Sequence, residues 1–411
     1  MGVSGGALGV AAVSAIAWLT PHARALGLFV ALLSPLPLAV MMFCGALALG
    51  AATQLGLAQA GAALGFALGL LAVAAAALEL YLTRERPALS ARVGAPVVAL
   101  LCAGLALVRA ELQLPHDEVR AYGGDVLAFA GGERQRLALV SHRSHFELYV
   151  DRTLKLSSVD AHRYAEALVH PALAVAASRR RILLLGGGTG VIEREILRWS
   201  GVETLTVVVT DRTLVELARR SPWLASASTA ALADRRVRIV EAEPIVWLAS
   251  NQARFDAVVA DVEDPVGYRQ SKHFTRHALG LVAAALADGG VASLQAPSPL
   301  TFPHAFASIR TTLLATGLTF APYHAALPAI GDGGFFLFAA ADTRSLLDRA
   351  TEGAQHLPAG LRYVTPRALP SFFHFAADLG PALADGVPPN TLHTQPLVEL
   401  YGDDHERQPE R

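Results

Sequence analysis

The stretch Arg181-Ile-Leu-Leu-Leu-Gly-Gly-Gly-Thr-Gly190 decides the fold of this chain. Its apolar first half is typical of a buried strand, its glycines of a tight turn, and residues 192–199 continue in a helical pattern. Glycines let a ligand approach the backbone closely, and the start of a helix offers unpaired N–H groups. The strand–turn–helix order therefore predicts a nucleotide- or adenosyl-binding turn formed by Gly186, Gly187, Gly188, Thr189 and Gly190. The alternative is a tight turn with a purely structural role.

Apolar runs and helical patterns alternate from this stretch onward. Strands are predicted at 182–185, 204–209, 237–240, 257–260, 291–295 and 335–339. Helices are predicted at 192–199, 214–220, 244–249, 273–287 and 303–315. This order predicts a doubly wound, Rossmann-like α/β domain over 173–345.

Shorter segments flank that domain. Residues 136–140 and 146–150 alternate between apolar and polar side chains, which predicts a small β-hairpin unit within 113–172. Residues 346–411 are predicted to form a C-terminal extension. From residue 357 this extension is rich in proline and is predicted to be irregular, with a charged tail.

The first 112 residues have the composition of a membrane region. The chain is 53% hydrophobic and 17% charged, with a mean hydropathy of +0.40, and Arg24 is the only Asp, Glu, Lys or Arg between Met1 and Leu78. A helix needs about 20 apolar residues to cross about 30 Å of hydrocarbon. About four transmembrane helices are therefore predicted, near 3–19, 26–50, 56–80 and 96–108. The alternative is the buried helical core of a soluble protein, which would still need polar outer faces.

Arginines between the third and fourth predicted spans bear on the orientation. Arg84, Arg86 and Arg92 lie in that loop, and the positive-inside rule places such a loop in the cytoplasm. A fourth crossing would then put the following domain outside, whereas a domain that uses an adenosyl compound is expected inside. We expect a cytoplasmic domain, so that either the fourth segment does not cross or the charge rule is overridden.

Charge and ligand spacing argue against two classes of partner. The formal net charge is −1, which gives no overall field that would attract nucleic acid. Cys44 and Cys102 lie in apolar N-terminal segments and form neither a disulfide framework nor a metal motif. No metal site is predicted from the remaining candidates, because they lack the spacing of zinc ligands: His142, His145, His162 and His170.

Asp261 and Asp264 form the second chemical feature of the sequence. They follow an apolar strand at its C-terminal end, where open α/β sheets place their sites. Paired carboxylates at such a position can bind a cationic amine and remove its proton. The alternative is a solvated acidic loop before the turn at Pro265.

Three stretches in this order resemble the spermidine synthases, the polyamine aminopropyltransferases. They are the glycine-rich stretch already quoted, Tyr164-Ala-Glu-Ala-Leu-Val-His-Pro171, and Asp261-Val-Glu-Asp-Pro-Val-Gly267. The resemblance runs collinearly from about residue 118 to 401 and implies a methyltransferase-type sheet. A membrane-embedded N-terminal region also occurs among bacterial members of this family.

The resemblance implies a reaction and roles for named residues. A membrane-anchored enzyme would transfer an aminopropyl group from decarboxylated S-adenosylmethionine to a polyamine-type amine. Asp261 would activate the attacking amine, Asp264 would help to bind it, and Tyr164 would border the active site. Further residues are assigned to substrate binding in this way: Glu166, Gln295 and Lys155.

Several positions depart from the family pattern. Thr189 stands where the family has an acid that holds the donor amine, and Val209 stands where a glutamate grips the ribose. Asp211 is the nearest substitute for that glutamate, and Glu243 corresponds to the acid that meets the adenine amino group. Lys155 replaces a usual glutamine, which puts a positive charge where a cationic substrate would lie.

These departures leave two other hypotheses open. In the first, the domain has lost the reaction and serves as a binding or regulatory module for a membrane partner. In the second, it retains an adenosyl ligand and acts on a changed substrate. The predicted partners are a small polyamine and the lipid bilayer, with a homodimer left open. The predicted location is the inner (cytoplasmic) membrane of a bacterium.

We expect the full chain to resist extraction by carbonate or high salt, because residues 25–78 contain no charged side chain. A truncated chain that begins near Leu114 is expected to be soluble without detergent. Membrane fractionation followed by immunoblotting checks both. Release of the full chain by carbonate alone would contradict the predicted spans.

Overall fold

The computed structural model describes residues 122–131, 135–224, 231–340 and 345–407. The chain divides after Gly123, and the elements below belong to the unit Gly124–Arg411. The four predicted membrane spans, near 3–19, 26–50, 56–80 and 96–108, lie outside the described residues. None of the helices in the described ranges has both the length and the apolar composition needed to cross a bilayer.

A four-stranded antiparallel sheet opens the unit. Its strands follow chain order: β1 (Asp125–Gly131), β2 (Arg136–Ser141), β3 (Phe146–Val150) and β4 (Thr153–Ser157). The predicted hairpin of 136–140 and 146–150 is therefore confirmed, as β2 and β3. The inner face of the sheet, which includes Leu139 and Leu148, packs against Leu214 and Ala218 of the next domain.

A seven-stranded mixed sheet forms the centre of the fold. Its strands are β5 (Arg181–Gly186), β6 (Thr204–Val209), β7 (Val237–Glu241), β8 (Phe255–Asp261), β9 (Leu286–Ala296), β10 (Thr319–Leu327) and β11 (Gly331–Ala339). They lie in the order β10-β11-β9-β8-β5-β6-β7, and β11 runs antiparallel to both of its neighbours. The predicted Rossmann-like sheet is confirmed. The order reverses between β5 and β8, and such a switch point opens a crevice at the carboxyl ends of the strands.

Helices cover both faces of this sheet. They are α1 (Ala161–Val175), α2 (Val191–Leu197), α3 (Thr213–Arg220), α4 (Pro244–Ser250), α5 (Tyr268–Ser271), α6 (Arg276–Ala284), α7 (Pro303–Thr316), α8 (Leu346–Gly353), α9 (Ala368–Ser371) and α10 (Pro396–Glu406). One hydrophobic core includes side chains of α1 and α2, and a second includes side chains of α6 and α7 on the other face.

The helix predicted at 273–287 is too long at both ends. The Thr275 hydroxyl accepts a hydrogen bond from the backbone N–H of Ala278, so that α6 begins after Thr275. The helix ends at Ala284 because Leu286, two residues later, already pairs with Phe255, the first residue of β8.

The prediction of an irregular C-terminal extension is wrong for its last part. Residues 396–406 form α10, which packs against α7 through a buried carboxylate. Asp404 Oδ2 accepts hydrogen bonds from the backbone N–H groups of His304 (2.9 Å) and Ala305 (3.0 Å). Because these N–H groups open α7 and have no partner within the helix, Asp404 caps α7 from a distant segment. This contact places α10 beside the crevice.

Candidate active site

The glycine turn and the end of β8 meet directly. Gly186 pairs with Asp261 in the parallel register of β5 and β8, and a Cβ at Gly186 would lie 2.1 Å from the Asp261 carbonyl oxygen. Gly186, Gly187, Gly188 and Gly190 all have positive φ angles, between 71° and 90°. Glycine is the residue that adopts these angles without strain, so the sequence of the turn is what permits this close contact.

The Asp261 carboxylate is buried and accepts hydrogen bonds from three directions. The Tyr164 hydroxyl donates to Oδ1 at 2.5 Å, and the Lys155 Nζ lies 2.8 Å from the same oxygen. The backbone N–H of Gly187 donates to Oδ2 at 3.1 Å. Burial, and then the neighbouring Asp261 charge, raise the pKa of Tyr164 well above its usual value, so the tyrosine stays a proton donor. The predicted catalytic pair Asp261 and Tyr164 is in direct contact.

Asp264 is held by two side-chain donors. Gln295 Nε2 donates to Oδ1 at 2.7 Å, and the Tyr401 hydroxyl donates to Oδ2 at 3.2 Å. Burial raises the pKa of Asp264, against the opposing effect of these hydrogen bonds and of the Lys155 charge. A half-buried carboxylate with only neutral hydrogen-bond donors favours a cationic ligand beside it.

Two cavities meet at Lys155 and Asp261. The first, of about 370 Å³, is lined by Tyr164, Thr189, Asp264 and Gln295 among others. The second, of about 380 Å³, is lined by Gly186 and Gly187 of the glycine turn, by Val209 at the end of β6 and by Glu243 just after β7. Because Lys155 and Asp261 line both cavities, a ligand in one would lie next to a ligand in the other.

The second cavity contains four of the residues predicted to bind an adenosyl group: Gly186, Gly187, Asp211 and Glu243. Val209 lines it as well, whereas Thr189 lines the first cavity. Asp211 Oδ1 accepts hydrogen bonds from the N–H and the hydroxyl of one residue at the start of α3, Thr213, so this carboxylate already has two donors within the protein.

The Glu243 carboxylate also has partners within the protein. Its Oε2 accepts a hydrogen bond from the backbone N–H of Val246, and its Oε1 lies 3.0 Å from the Lys272 Nζ. Although burial opposes it, these two interactions lower the pKa of Glu243. The neighbouring His273 has its pKa lowered to about 4, chiefly by burial, and is therefore neutral near pH 7. The cavity thus presents an ionised acid at its rim.

Some predicted residues lie elsewhere. Glu166 lines neither cavity, and its carboxylate accepts hydrogen bonds from the backbone N–H groups of Arg362, Tyr363 and Val364. Its predicted contact with substrate is therefore wrong, because the buried carboxylate is used to hold a C-terminal loop. Gly188 and Gly190 line neither cavity. A Cβ at Gly188 would face Val215 at 3.2 Å.

The structure adds residues that the sequence did not single out. Glu263 lines both cavities and accepts hydrogen bonds from Gln135 and Gln270. Glu263 lies within the acidic stretch Asp261–Gly267, and that position is the sequence feature from which it could have been predicted. Tyr401 had no such signal, because it lies 137 residues from Asp264 in the chain.

Comparison with known proteins gives consistent matches. The family model described as the spermine/spermidine synthase domain matches residues 161–349. Polyamine aminopropyltransferase 2 of Ralstonia nicotianae is 33% identical over 361 residues, which are 86% of this chain and 68% of the relative. Polyamine aminopropyltransferase of Mycobacterium tuberculosis is 31% identical over 334 residues, which are 79% of this chain and 61% of the relative.

Solved structures show the same fold. A spermidine synthase in complex with the transition-state analogue AdoDATO superposes with a TM-score of 0.56 at 20% identity, over 63% of this chain and 88% of the other. The spermidine synthase of Thermotoga maritima superposes with a TM-score of 0.54 at 19% identity, over 63% and 87% of the two chains.

We expect Gly186→Ala to lower the free energy of unfolding by about 2–4 kcal/mol, because the new Cβ meets the Asp261 carbonyl and the φ angle of 87° becomes strained. Gly201→Ala is the matched control, because a Cβ there meets nothing within 4 Å. Denaturant unfolding of both variants measures the difference. Equal stability of the two variants would contradict the tight contact between the turn and β8.

Proposed function

The chain belongs to the polyamine aminopropyltransferase family, and we propose that it transfers an aminopropyl group from decarboxylated S-adenosylmethionine to a polyamine-type amine. The observation that carries the proposal is the position of Asp261 at the junction of two cavities, with Tyr164 on one of its oxygens and Asp264 in the same cavity. The donor's adenosyl part would occupy the second cavity and the amine the first.

The chemistry follows from this arrangement. The amine nitrogen attacks the propyl carbon of the donor, the bond from that carbon to sulfur breaks, and methylthioadenosine leaves as a neutral thioether. The attacking amine must first lose a proton, and Asp261 is the carboxylate placed to take it. Alignment of two bound reactants supplies much of the remaining rate enhancement. Tyr164 and the Gly187 N–H keep the carboxylate oriented.

Lys155 changes the charge balance of this site. Its ammonium lies 2.8 Å from Asp261 Oδ1, where an incoming ammonium would otherwise pair. A resident cation opposes capture of a second cation, and it also favours the uncharged form of a neighbouring amine. We infer that Lys155 weakens acceptor binding but assists its deprotonation.

A binding or regulatory module is the second candidate function. Val209 at the end of β6 offers no acceptor to a ribose, although it lines the second cavity. The Lys155 ammonium already pairs with Asp261, where an acceptor ammonium would otherwise bind. A module that retained an adenosyl ligand would bind methylthioadenosine but would not produce it from decarboxylated S-adenosylmethionine.

The proposal includes a membrane anchor in the first 112 residues. The anchor is supported by residues 1–78, in which Arg24 is the only Asp, Glu, Lys or Arg. The catalytic unit would face the cytoplasm at the inner membrane of a bacterium, because its proposed donor is an adenosyl compound.

Asp261→Asn tests the enzymatic function. It keeps the size of the side chain but removes the base, so turnover is expected to fall by about 10²–10⁴-fold with nucleoside affinity nearly unchanged. Methylthioadenosine release is measured with putrescine and spermidine as acceptors, and methylthioadenosine binding by calorimetry. Asp288→Asn, at an exposed position, is the control. Wild type that binds the nucleoside but releases none from decarboxylated S-adenosylmethionine would support the module instead.

Asp264→Asn is expected to raise KM for the acceptor more than it lowers kcat. Because burial raises the pKa of Asp264, the carboxylate becomes charged only as the pH rises above the usual range of an aspartate. KM of the wild type for the acceptor is therefore expected to fall with rising pH, and Asp264→Asn is expected to lose that dependence. A pH series of KM in both proteins decides this, and identical profiles would exclude Asp264 as the cation-binding group.

Lys155→Gln is expected to lower KM for a diamine acceptor about tenfold, because removal of one positive charge a few ångströms away relieves a repulsion of about 1–4 kcal/mol. Lys272→Gln is the matched control, since Lys272 pairs with Glu243 in the second cavity. Steady-state kinetics with putrescine measure both. An unchanged KM in Lys155→Gln would mean that the acceptor amine binds away from Asp261.

A further inference from the structure

A second group of chemically competent side chains lies on the turn between β2 and β3. The backbone N–H of His142 donates to the carbonyl of His145 at 2.8 Å and closes this turn. The strands pair Ser141 with Phe146, so His142 and His145 are the next opposed pair. Opposed residues of a hairpin project on the same face, and their imidazole rings indeed stack with centroids 4.6 Å apart.

The alternation of β3 adds a carboxylate to this face. Phe146, Leu148 and Val150 are buried on the inner side of the small sheet. His145 and Glu147 therefore share the outer side. Glu147 Oε2 lies 3.0 Å from His142 Nε2, and Glu147 Oε1 lies 3.4 Å from His145 Nε2.

Tyr149 supports the carboxylate from the same face. Its hydroxyl donates to Glu147 Oε2 at 2.6 Å. Although burial opposes it, this hydrogen bond and the nearby His142 lower the pKa of Glu147. The three side chains are half-buried, with 23% of His142, 27% of His145 and 15% of Glu147 exposed, so the cluster is fixed by its neighbours yet reachable from solvent.

We propose that His142, His145 and Glu147 bind a divalent transition-metal ion such as Zn²⁺. One ligand atom from each residue lies within 4.8 Å of the others. Ligands about 2.0–2.2 Å from a tetrahedral Zn²⁺ lie roughly 3.3 Å from one another, so a small rotation of the side chains completes the site. Two imidazoles and a carboxylate are a ligand set that zinc takes, with a fourth position left to water or a partner's side chain. Tyr149 would orient the carboxylate from behind.

This site is independent of the proposed transfer reaction. The three residues line neither of the two cavities, and they lie on the small sheet rather than at the switch point of the large one. Histidine spacing alone predicted no metal site, since Glu147 enters only through the hairpin. A hydrogen-bonded cluster that binds no metal is the rival explanation of the same contacts.

Metal titration of the full chain tests the proposal. The protein is purified in detergent without a polyhistidine tag, stripped with chelator, and dialysed against Zn²⁺, with bound metal measured by elemental analysis. Wild type is expected to bind about one Zn²⁺ per chain more tightly than the variants His142→Ala, His145→Ala and Glu147→Gln, by at least about tenfold. Tyr149→Phe is expected to weaken binding by about tenfold. His393→Ala, at an exposed position in another part of the unit, is the control and is expected to bind like wild type.

Two further measurements separate loss of the site from loss of the fold. Zn²⁺ should raise the melting temperature of wild type and His393→Ala but not of Glu147→Gln, because a ligand stabilises only the form that binds it. Co²⁺ in place of Zn²⁺ should give the visible absorption of a tetrahedral centre, and His145→Ala should abolish it. Absence of stoichiometric Zn²⁺ binding by wild type, or binding by the three ligand variants as tight as that of wild type, would overturn the proposal.

Discussion

The rest of the site depends on the contact between the glycine turn and the last residue of β8. Parallel pairing of β5 and β8 places Gly186 against Asp261, and the absent side chain of the glycine is what makes room for the Asp261 carbonyl. The same turn points the Gly187 N–H at the Asp261 carboxylate. Two separate stretches of sequence therefore act as one structural unit. A side chain in the turn would displace the carboxylate on which the proposed proton transfer relies.

Charge is the second constraint on this site. Asp261 and Asp264 lie in a buried region, and an isolated buried carboxylate is costly. Lys155 compensates Asp261 by an ion pair, whereas Gln295 and Tyr401 compensate Asp264 by neutral hydrogen bonds. The two acids are thus prepared for different tasks. Asp261 is paired with a resident cation and oriented by hydrogen bonds, and Asp264 is left to be paired by a cationic ligand.

Buried carboxylates hold distant segments of the chain in place. Glu166 holds the loop of Arg362, Tyr363 and Val364 by three backbone hydrogen bonds. Asp404 caps α7 and thereby fixes α10, which carries Tyr401 to Asp264. In both cases an acid accepts backbone N–H groups, so its function is to position the chain. Neither role is visible from the residue type, because an acid that binds a substrate and an acid that caps a helix look alike in a sequence.

Six of the seven strands of the central sheet, and the acids that follow β8, could be predicted from the sequence alone. Local periodicity and glycine content are properties of short segments, so β5, β6 and β8, the turn after β5, and the position of Asp261 at the end of a strand could be predicted without knowing the neighbours. Which side chains meet became known only from the fold: Lys155 pairs with Asp261, and His142, His145 and Glu147 converge. These pairings depend on strand register and on the packing of distant segments, and Lys155 and Asp261 are 106 positions apart in the chain. A pattern read along the chain carries no distance between such residues, and therefore Glu166 could not be distinguished from a substrate ligand until the fold was known.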